Sequence, residues 1–315
     1  MTTIQILTKN NEKTIAKTLE SIEKIQCEKT IIDLNSSDKT CEICSKYKDV
    51  KIFNHAENES RAAIRNKFSK EKEINIYLNP WENLIQGDCF LNKIIENKED
   101  FNLPVSVYVL ENQTISKEIR IWKDQKFTNP VYESINSDSE LEPRIIIYSD
   151  FSQVKDERKN NLEKVNKWLK EKPLSIEPYY YAACCHLSLR NYEKFFYYSN
   201  QYFSKEMKIE DSYLMLKYYN AQVKLYLNKV KEAAESVMFC LSYKPFMAEF
   251  WCLLGDIYYK QKKLNKSICF YENAIIIGEK RKNQDFLPIE INKYQKYPKE
   301  MIETIRKIKK ESYYV

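Results

Sequence analysis

The polar groups able to do chemistry fall in a few short stretches of the chain. Residues 33–40 read D-L-N-S-S-D-K-T, a loop with carboxylates near both ends and hydroxyls between them. Asp38 or a neighbouring serine is suited to accept hydrogen bonds from the free backbone N–H groups that open the next helix. Cys41 and Cys44 follow as C-x-x-C, one helical turn apart. No second Cys or His pair stands at zinc-like spacing, so they read as structural thiols. Residues 74–82, I-N-I-Y-L-N-P-W-E, run from an apolar stretch into a polar end carrying Asn79 and Glu82. His55 and His186 are the two histidines of the chain.

Two kinds of periodicity surround these stretches. Up to about residue 155, short apolar runs alternate with helical patterns, the mark of βα units and a mostly parallel sheet. Strands are predicted at Ile4–Thr8, Thr30–Leu34, Lys51–Asn54, Ile74–Leu78, Val105–Leu110, Lys117–Trp122 and Arg144–Tyr148. Ile15, Leu19 and Ile22 recur at helical spacing, residues 58–70 read as a helix, and residues 124–143 read as loop. From residue 156 onward strands vanish and amphipathic helices repeat. Trp251, Leu254, Gly255, Tyr258, Ser267, Tyr271 and Ala274 resemble a tetratricopeptide (TPR) repeat. Ala221, Ala233 and Pro245 mark a unit about 34 residues earlier, where Lys217 replaces an aromatic. A third unit, with Tyr179, Ala182, Ala183 and Tyr192, lies further off the period. Stacking such pairs buries their apolar faces, which predicts an all-α TPR-like helical solenoid over residues 156–315 after a first domain over 1–155. The tyrosine clusters at 179–181, 197–198 and 218–219 read as packing.

Composition narrows the function classes. The 315 residues are 43% hydrophobic, enough for packed cores, and 3 glycines and 9 prolines argue against long flexible linkers. The net charge of +6 comes from 51 basic and 45 acidic residues that are interleaved, a solvated mixed surface with no basic, aromatic-laced stripe for nucleic acid. Nine cysteines, most in apolar helical stretches, point to a reducing compartment. No run approaches about 18 apolar residues, and the opening M-T-T-I-Q-I-L-T-K-N-N lacks the regions of a secretory leader. The expectation is a soluble cytoplasmic protein without a transmembrane segment.

The order of motifs resembles a family 2 glycosyltransferase of the GT-A type. I-L-T-K-N-N-E-K-T-I-A-K-T-L-E-S-I is similar to that family's opening strand and helix. D-L-N-S-S-D-K-T matches its D-x-x-S-x-D-x-T loop at all four fixed positions, and Arg65-Asn66 matches an Arg-Asn pair that precedes its acidic motif. E-I-R-I-W-K-D, N-P-V-Y-E-S-I and R-I-I-I-Y-S-D-F at 118–124, 129–135 and 144–151 resemble later segments. K-N-N-L-E-K-V-N-K-W-L-K-E-K-P looks like the helix that joins such domains to TPR repeats. The resemblance implies a Rossmann-like GT-A domain that binds a nucleoside-diphosphate sugar as donor. Thr8, Asp33 and Asp38 would line the nucleotide pocket, with Lys9, Ser36, Arg65, Asn79 and Trp81 around it. Ser36 and Asp38 are equally suited to plain helix capping.

The departures from the family pattern share a theme. Asn79 and Trp81 stand where the Asp-x-Asp carboxylates belong, and Tyr132 and Tyr148 where two histidines belong. Oxygen and nitrogen donors of those types hold Mn²⁺ or Mg²⁺ on a diphosphate. Their joint replacement puts divalent metal binding in question and implies either a metal-independent transferase or a site without catalysis. In the first case Lys9, Arg61, Arg65 and Arg120 are the cations available to stabilise the leaving group. Glu133, matching the V-H-E glutamate, is then the first candidate for the base that takes the acceptor proton, and Glu82 the second. Trp81 either stacks on the sugar or plugs the vacated metal site. The acceptor would be a glycan or protein, with the TPR domain holding acceptor, a protein partner or a second copy. In the second case the protein is a pseudo-glycosyltransferase, a scaffold that binds nucleotide sugar or protein.

Overall fold

The computed structural model describes residues 2–311 apart from 57–58, 98, 100, 130–133, 136, 151–156, 207, 279 and 282–286. The chain divides into two compact units, Met1–Glu157 and Arg158–Val315.

The first unit begins as alternating strands and helices: β1 (Thr3–Thr8), α1 (Ile15–Ser21), β2 (Glu28–Asp33), α2 (Thr40–Cys44), β3 (Val50–Asn54), α3 (Arg61–Phe68) and β4 (Asn75–Leu78). It continues with β5 (Glu82–Gln86), α4 (Asp88–Glu96), β6 (Val105–Glu111), β7 (Thr114–Trp122) and β8 (Glu140–Ser149). These strands form one sheet in the order β3-β2-β1-β4-β7-β6-β8-β5. Strands β1–β4, β6 and β8 point one way, and β5 and β7 the other. β1 lies in the middle, paired with β2 (Thr8↔Asp33) and β4 (Ile6↔Leu78), and every residue of it is buried.

Period-2 alternation sends the two faces of these strands into different cores. Ile4, Ile6, Ile31, Ile76 and Leu78 pack with Ile15 and Leu19 of α1 and with Ile22 just past its end. On the other face Leu7 and Ile32 pack with Ile64 of α3, while Tyr77 and Trp122 pack with Ala62 and Phe127. Ser60 caps α3 by accepting from the Ala63 N–H at 3.2 Å, which starts that helix at 61 instead of the expected 58. β5 and α4 have no counterpart in the sequence expectation, and β8 starts within the stretch read as loop. β5 is short and pairs at the sheet edge with β8, Glu82 opposite Ser149, so its stability comes from a partner about 65 residues away. Gly87, with φ of 107°, makes the turn from β5 into α4; a Cβ there would meet the Arg144 carbonyl oxygen at 2.7 Å.

The second unit is helical but for one short strand that the sequence reading did not expect: α5 (Glu157–Glu171), then the hairpins α6 (Glu177–Ser188)/α7 (Tyr192–Lys205), α8 (Asp211–Tyr226)/α9 (Val230–Tyr243) and α10 (Ala248–Lys260)/α11 (Leu264–Gly278), then β9 (Ile289–Glu290), a 3-10 turn (Ile291–Tyr294) and α12 (Lys296–Glu311). Each hairpin turns at a residue in the left-handed region: Arg190, Asn228 and Lys262, with φ of 58°, 64° and 59°. In each turn the following N–H bonds a carbonyl five residues back, Asn191 to His186, Lys229 to Lys224 and Lys263 to Tyr258. This is the Schellman arrangement, repeated three times. Small residues sit where paired helices touch. A Cβ on Gly255 would lie 2.5 Å from the Tyr271 ring, and Ser267 Oγ donates to the Gly255 carbonyl at 2.8 Å. Lys217, at the position expected to be aromatic, holds its ammonium 4.2 Å over the Phe203 ring with Tyr213 and Phe239 at 5.6 Å. Borrowed aromatics thus replace the missing ring.

Candidate functional site

In an open sheet of order 3-2-1-4 the chain leaves β1 toward β2 and later returns to the opposite side at β4. The crevice outside the carboxyl ends of β1 and β4 is the place where such sheets take ligands. Thr8 ends β1, Asp33 ends the adjacent β2, and Asn79 lies one past β4.

The loops after β1 and β2 are stitched together by reciprocal hydrogen bonds. Asn10, with φ of 53°, donates its N–H to Ser36 Oγ at 2.9 Å and accepts from the Ser37 N–H at 2.8 Å. The Asn11 N–H donates to Thr40 Oγ1 at 2.8 Å, and the Lys39 N–H to Glu12 Oε2 at 3.2 Å. Thr8 Oγ1 donates to Asn11 Oδ1 at 3.0 Å. Asp33 is buried at the end of β2 and accepts from the Ser36 N–H at 2.9 Å and the Ser36 hydroxyl. Asp38 accepts from the N–H and hydroxyl of Thr40 and from the Glu12 N–H. Burial works to raise the Asp38 pKa, but these donors outweigh it and hold the carboxyl below the ordinary aspartate value. Asp38 therefore holds the start of α2 through Thr40, while Ser36 ties Asp33 to the loop after β1 through Asn10. Lys9 is exposed beside them.

A second network surrounds the N-P-W-E turn between β4 and β5. Glu82 accepts from Arg120 Nη1 and Nη2 at 2.9 and 2.8 Å, and also from the Asn79 N–H and side-chain amide at 2.8 and 2.9 Å. Arg120 Nη2 reaches Glu118 as well, at 2.8 Å. Burial disfavours the Arg120 charge, yet Glu82, Tyr77 and Glu118 reverse the balance and raise its pKa. Arg120 sits where the β6–β7 register slips, from Val105↔Ile121 to Ser106↔Ile119, so a β-bulge aims its side chain. Arg65, fully buried on α3, donates to Asn79 Oδ1 at 3.4 Å. Both guanidiniums stack on Tyr77, at 4.1 and 4.3 Å from the ring centroid. Trp81 is buried and its carbonyl accepts from the Asp150 N–H at 3.1 Å. Asn66 is used structurally, bonding the N–H and carbonyl of Phe127 at 2.8 and 2.9 Å.

The sequence-derived site residues thus fall in two groups: Thr8, Lys9, Asp33, Ser36 and Asp38 on one loop pair, and Arg65, Asn79, Trp81 and Glu82 around the turn after β4. Tyr132 and Glu133 lie outside the described residues. Tyr148 pairs in β8 opposite Asn83 of β5. Tyr77, Glu118 and the stitching residues Asn10 and Asn11 were not anticipated, and Thr40 was present only as the last fixed position of the D-x-x-S-x-D-x-T match. The one available signal was Asn at the polar turns, a residue type that tolerates positive φ. Among the described residues no group of three or more His, Cys, Asp or Glu could hold a metal ion, and no helix is long and apolar enough to cross a membrane.

An α/β unit with this strand order, followed by TPR-like helical hairpins, is a GT-A-like domain joined to a helical repeat. The sequence model of the family described as "Glycosyl transferase family 2" matches residues 3–71, which span β1 to the end of α3 and include both stitched loops. No curated protein sequence matches the chain. Among solved structures, MamA 41-end from Desulfovibrio magneticus RS-1 is 17% identical, covering 49% of this chain and 87% of that one with a TM-score of 0.37. The Sgt2 TPR domain from Aspergillus fumigatus is 14% identical, covering 44% and 82% with a TM-score of 0.35. S. aureus TarS 1–349 in complex with UDP-GlcNAc is 12% identical, covering 74% and 89% with a TM-score of 0.39. At these scores no functional argument rests on the structural likenesses.

Proposed function

We propose that the N-terminal unit is a glycosyltransferase domain that takes a nucleoside-diphosphate sugar into the crevice at the carboxyl ends of β1, β2 and β4, and transfers the sugar without a divalent metal. The observation that carries this reading is the pair of buried guanidiniums, Arg65 and Arg120, stacked on Tyr77 beside Asn79. A metal in such a site neutralises the charge that develops on the leaving diphosphate, and a preorganised guanidinium serves the same end. Arg65, which reaches Asn79 just past the carboxyl end of β4, is assigned to the diphosphate. Thr8, Lys9, Asp33, Ser36 and Asp38 form the donor-binding loops, with Asn79 and Trp81 at their border.

Each Glu82 oxygen accepts from both Arg120 and Asn79. We therefore reassign Glu82 from second-choice base to anchor of Arg120 and leave the role of base to Glu133. The acceptor is a glycan or a protein, and the helical unit holds it or a partner. The same engagement of Glu82 also favours a second reading, in which the domain binds nucleotide sugar as a scaffold and does not turn it over.

Calorimetric titration with UDP- and GDP-sugars, starting with UDP-GlcNAc, in Mn²⁺ and in EDTA, tests both. Equal binding in the two buffers, lost in Asp33→Ala, is the expected result. Donor hydrolysis that disappears in Glu133→Gln while binding persists supports transfer. Binding without turnover transfers the assignment to the scaffold, and no binding to any nucleotide sugar overturns both.

A further inference from the structure

The link between α11 and α12 does more than connect them. Leu287 is buried in one apolar cluster with Met215 and Tyr218 of α8 and Phe250, Leu253 and Leu254 of α10. Three residues on, the Glu290 carboxylate accepts from Tyr218 Oη at 2.9 Å, and the Glu290 N–H donates to Glu249 Oε1 at 2.8 Å. Tyr294 Oη donates to Glu249 Oε2 at 2.9 Å, and the Cys252 thiol donates to the Lys293 carbonyl at 3.3 Å. Arg281 pairs with Glu249 at 3.4 Å and donates to the Leu287 carbonyl at 2.6 Å. Residues 287–294 therefore lie across α8 and α10, the leading helices of two successive hairpins.

These contacts have the chemistry of a bound peptide: one apolar anchor, one carboxylate three residues later, and main-chain groups taken up by side chains. They also solve a local problem. Glu249 is 2% exposed, and a carboxylate so placed needs partners. Apart from Arg281, which precedes them, these partners come from residues 287–294 and not from the helices of the hairpins. With that segment lifted, Tyr218, Glu249 and Cys252 form a face with a donor, an acceptor and an apolar floor. A second extended chain could satisfy the same groups.

We propose that residues 287–294 are a releasable strap that closes in cis a docking face on α8 and α10. The partner this face fits is an extended segment carrying an apolar residue followed, three residues on, by a carboxylate, as Leu287 and Glu290 do.

The thiol of Cys252, fully buried beneath the strap, reports its opening. Alkylation of the intact protein, read at Cys252 by peptide mass mapping, is compared for the natural chain, Leu287→Asp and Glu290→Ala, together with binding of a labelled synthetic peptide spanning residues 285–296. The natural chain is expected to protect Cys252 and bind no peptide. Each variant is expected to be labelled about tenfold faster or more, the opening gained by losing one buried anchor, and to bind the peptide. Labelling unchanged in both variants, or fast labelling without peptide binding, overturns the proposal. Loss of helical circular dichroism in both variants also overturns it, because the segment would then be part of the fold and not a strap.

Discussion

Arg120 and Glu82 form a two-pronged ion pair at 2.8 and 2.9 Å with both side chains 2% exposed, at the turn that leads from β4 into β5. That turn is thus closed by a carboxylate–guanidinium pair, with Asn79 as a third member. Removing one partner of such a pair leaves a buried charge uncompensated, a loss of about 3–5 kcal/mol. Arg120→Met is expected to lower unfolding stability by that order in urea titration. The double variant with Glu82→Leu is expected to lose less than the sum of the single changes, because it leaves no orphaned charge.

Glu28 gives the first unit a pH dependence of known sign. Its carboxylate meets Lys51 Nζ and Lys70 Nζ at 2.5 and 2.9 Å with the side chain 12% exposed. Hydrogen bonds from Lys51 and Lys70 outweigh burial and lower its pKa to about 2. A depressed carboxylate stabilises the fold fully above its unfolded value and loses that contribution as pH falls through the folded one. Stability of the chain should therefore decline between about pH 4.5 and 2, and Glu28→Gln should flatten that part of the urea-midpoint profile.

Much of this was legible in the sequence because it is local. The alternation of Ile4, Ile6 and Ile31 with Leu7 and Ile32 marks two buried faces, and the D-x-x-S-x-D-x-T spacing marks a loop at the end of a strand. The small residues Ala221, Ala233 and Gly255 mark helix contacts. What escaped was non-local. β5 owes its existence to pairing with β8, and Arg120 owes its direction to a bulge set by β6. Glu82 read as a candidate base because nothing in its own neighbourhood reveals a partner 38 residues later. Lys217 reads as a broken repeat until Phe203 and Phe239 arrive from neighbouring helices.

The three Schellman turns carry an unequal load. Asn228 suits the left-handed region, but Arg190 and Lys262 adopt it at a cost that glycine avoids. Replacing either with glycine relieves about 1 kcal/mol of backbone strain, part of which the added chain entropy of the unfolded state offsets. Arg190→Gly and Lys262→Gly are each expected to raise the thermal midpoint slightly, and Asn228→Gly to change it least. Thermal denaturation of the three variants side by side checks the order.

Gly255 is the reverse case, a glycine required by packing and not by backbone angle. The ring of Tyr271 fills the space a Cβ would take, and its hydroxyl donates to Asp256 Oδ1 at 2.6 Å, so the ring is tied on the side from which it would have to retreat. Tyr297 shares the same carboxylate oxygen from α12, which couples the last hairpin to the terminal helix. Adding one methyl here forces the α10–α11 pair apart, and overpacking of this kind costs about 1–3 kcal/mol. Gly255→Ala is expected to lose that much in urea unfolding, with Cys252 on the same helix becoming easier to alkylate. Gly255→Ala combined with Tyr271→Leu is expected to regain part of the loss by vacating the ring, even though the bond to Asp256 goes with it. A double variant no more stable than Gly255→Ala alone would show that the contact between backbone and ring is not what holds this glycine in place.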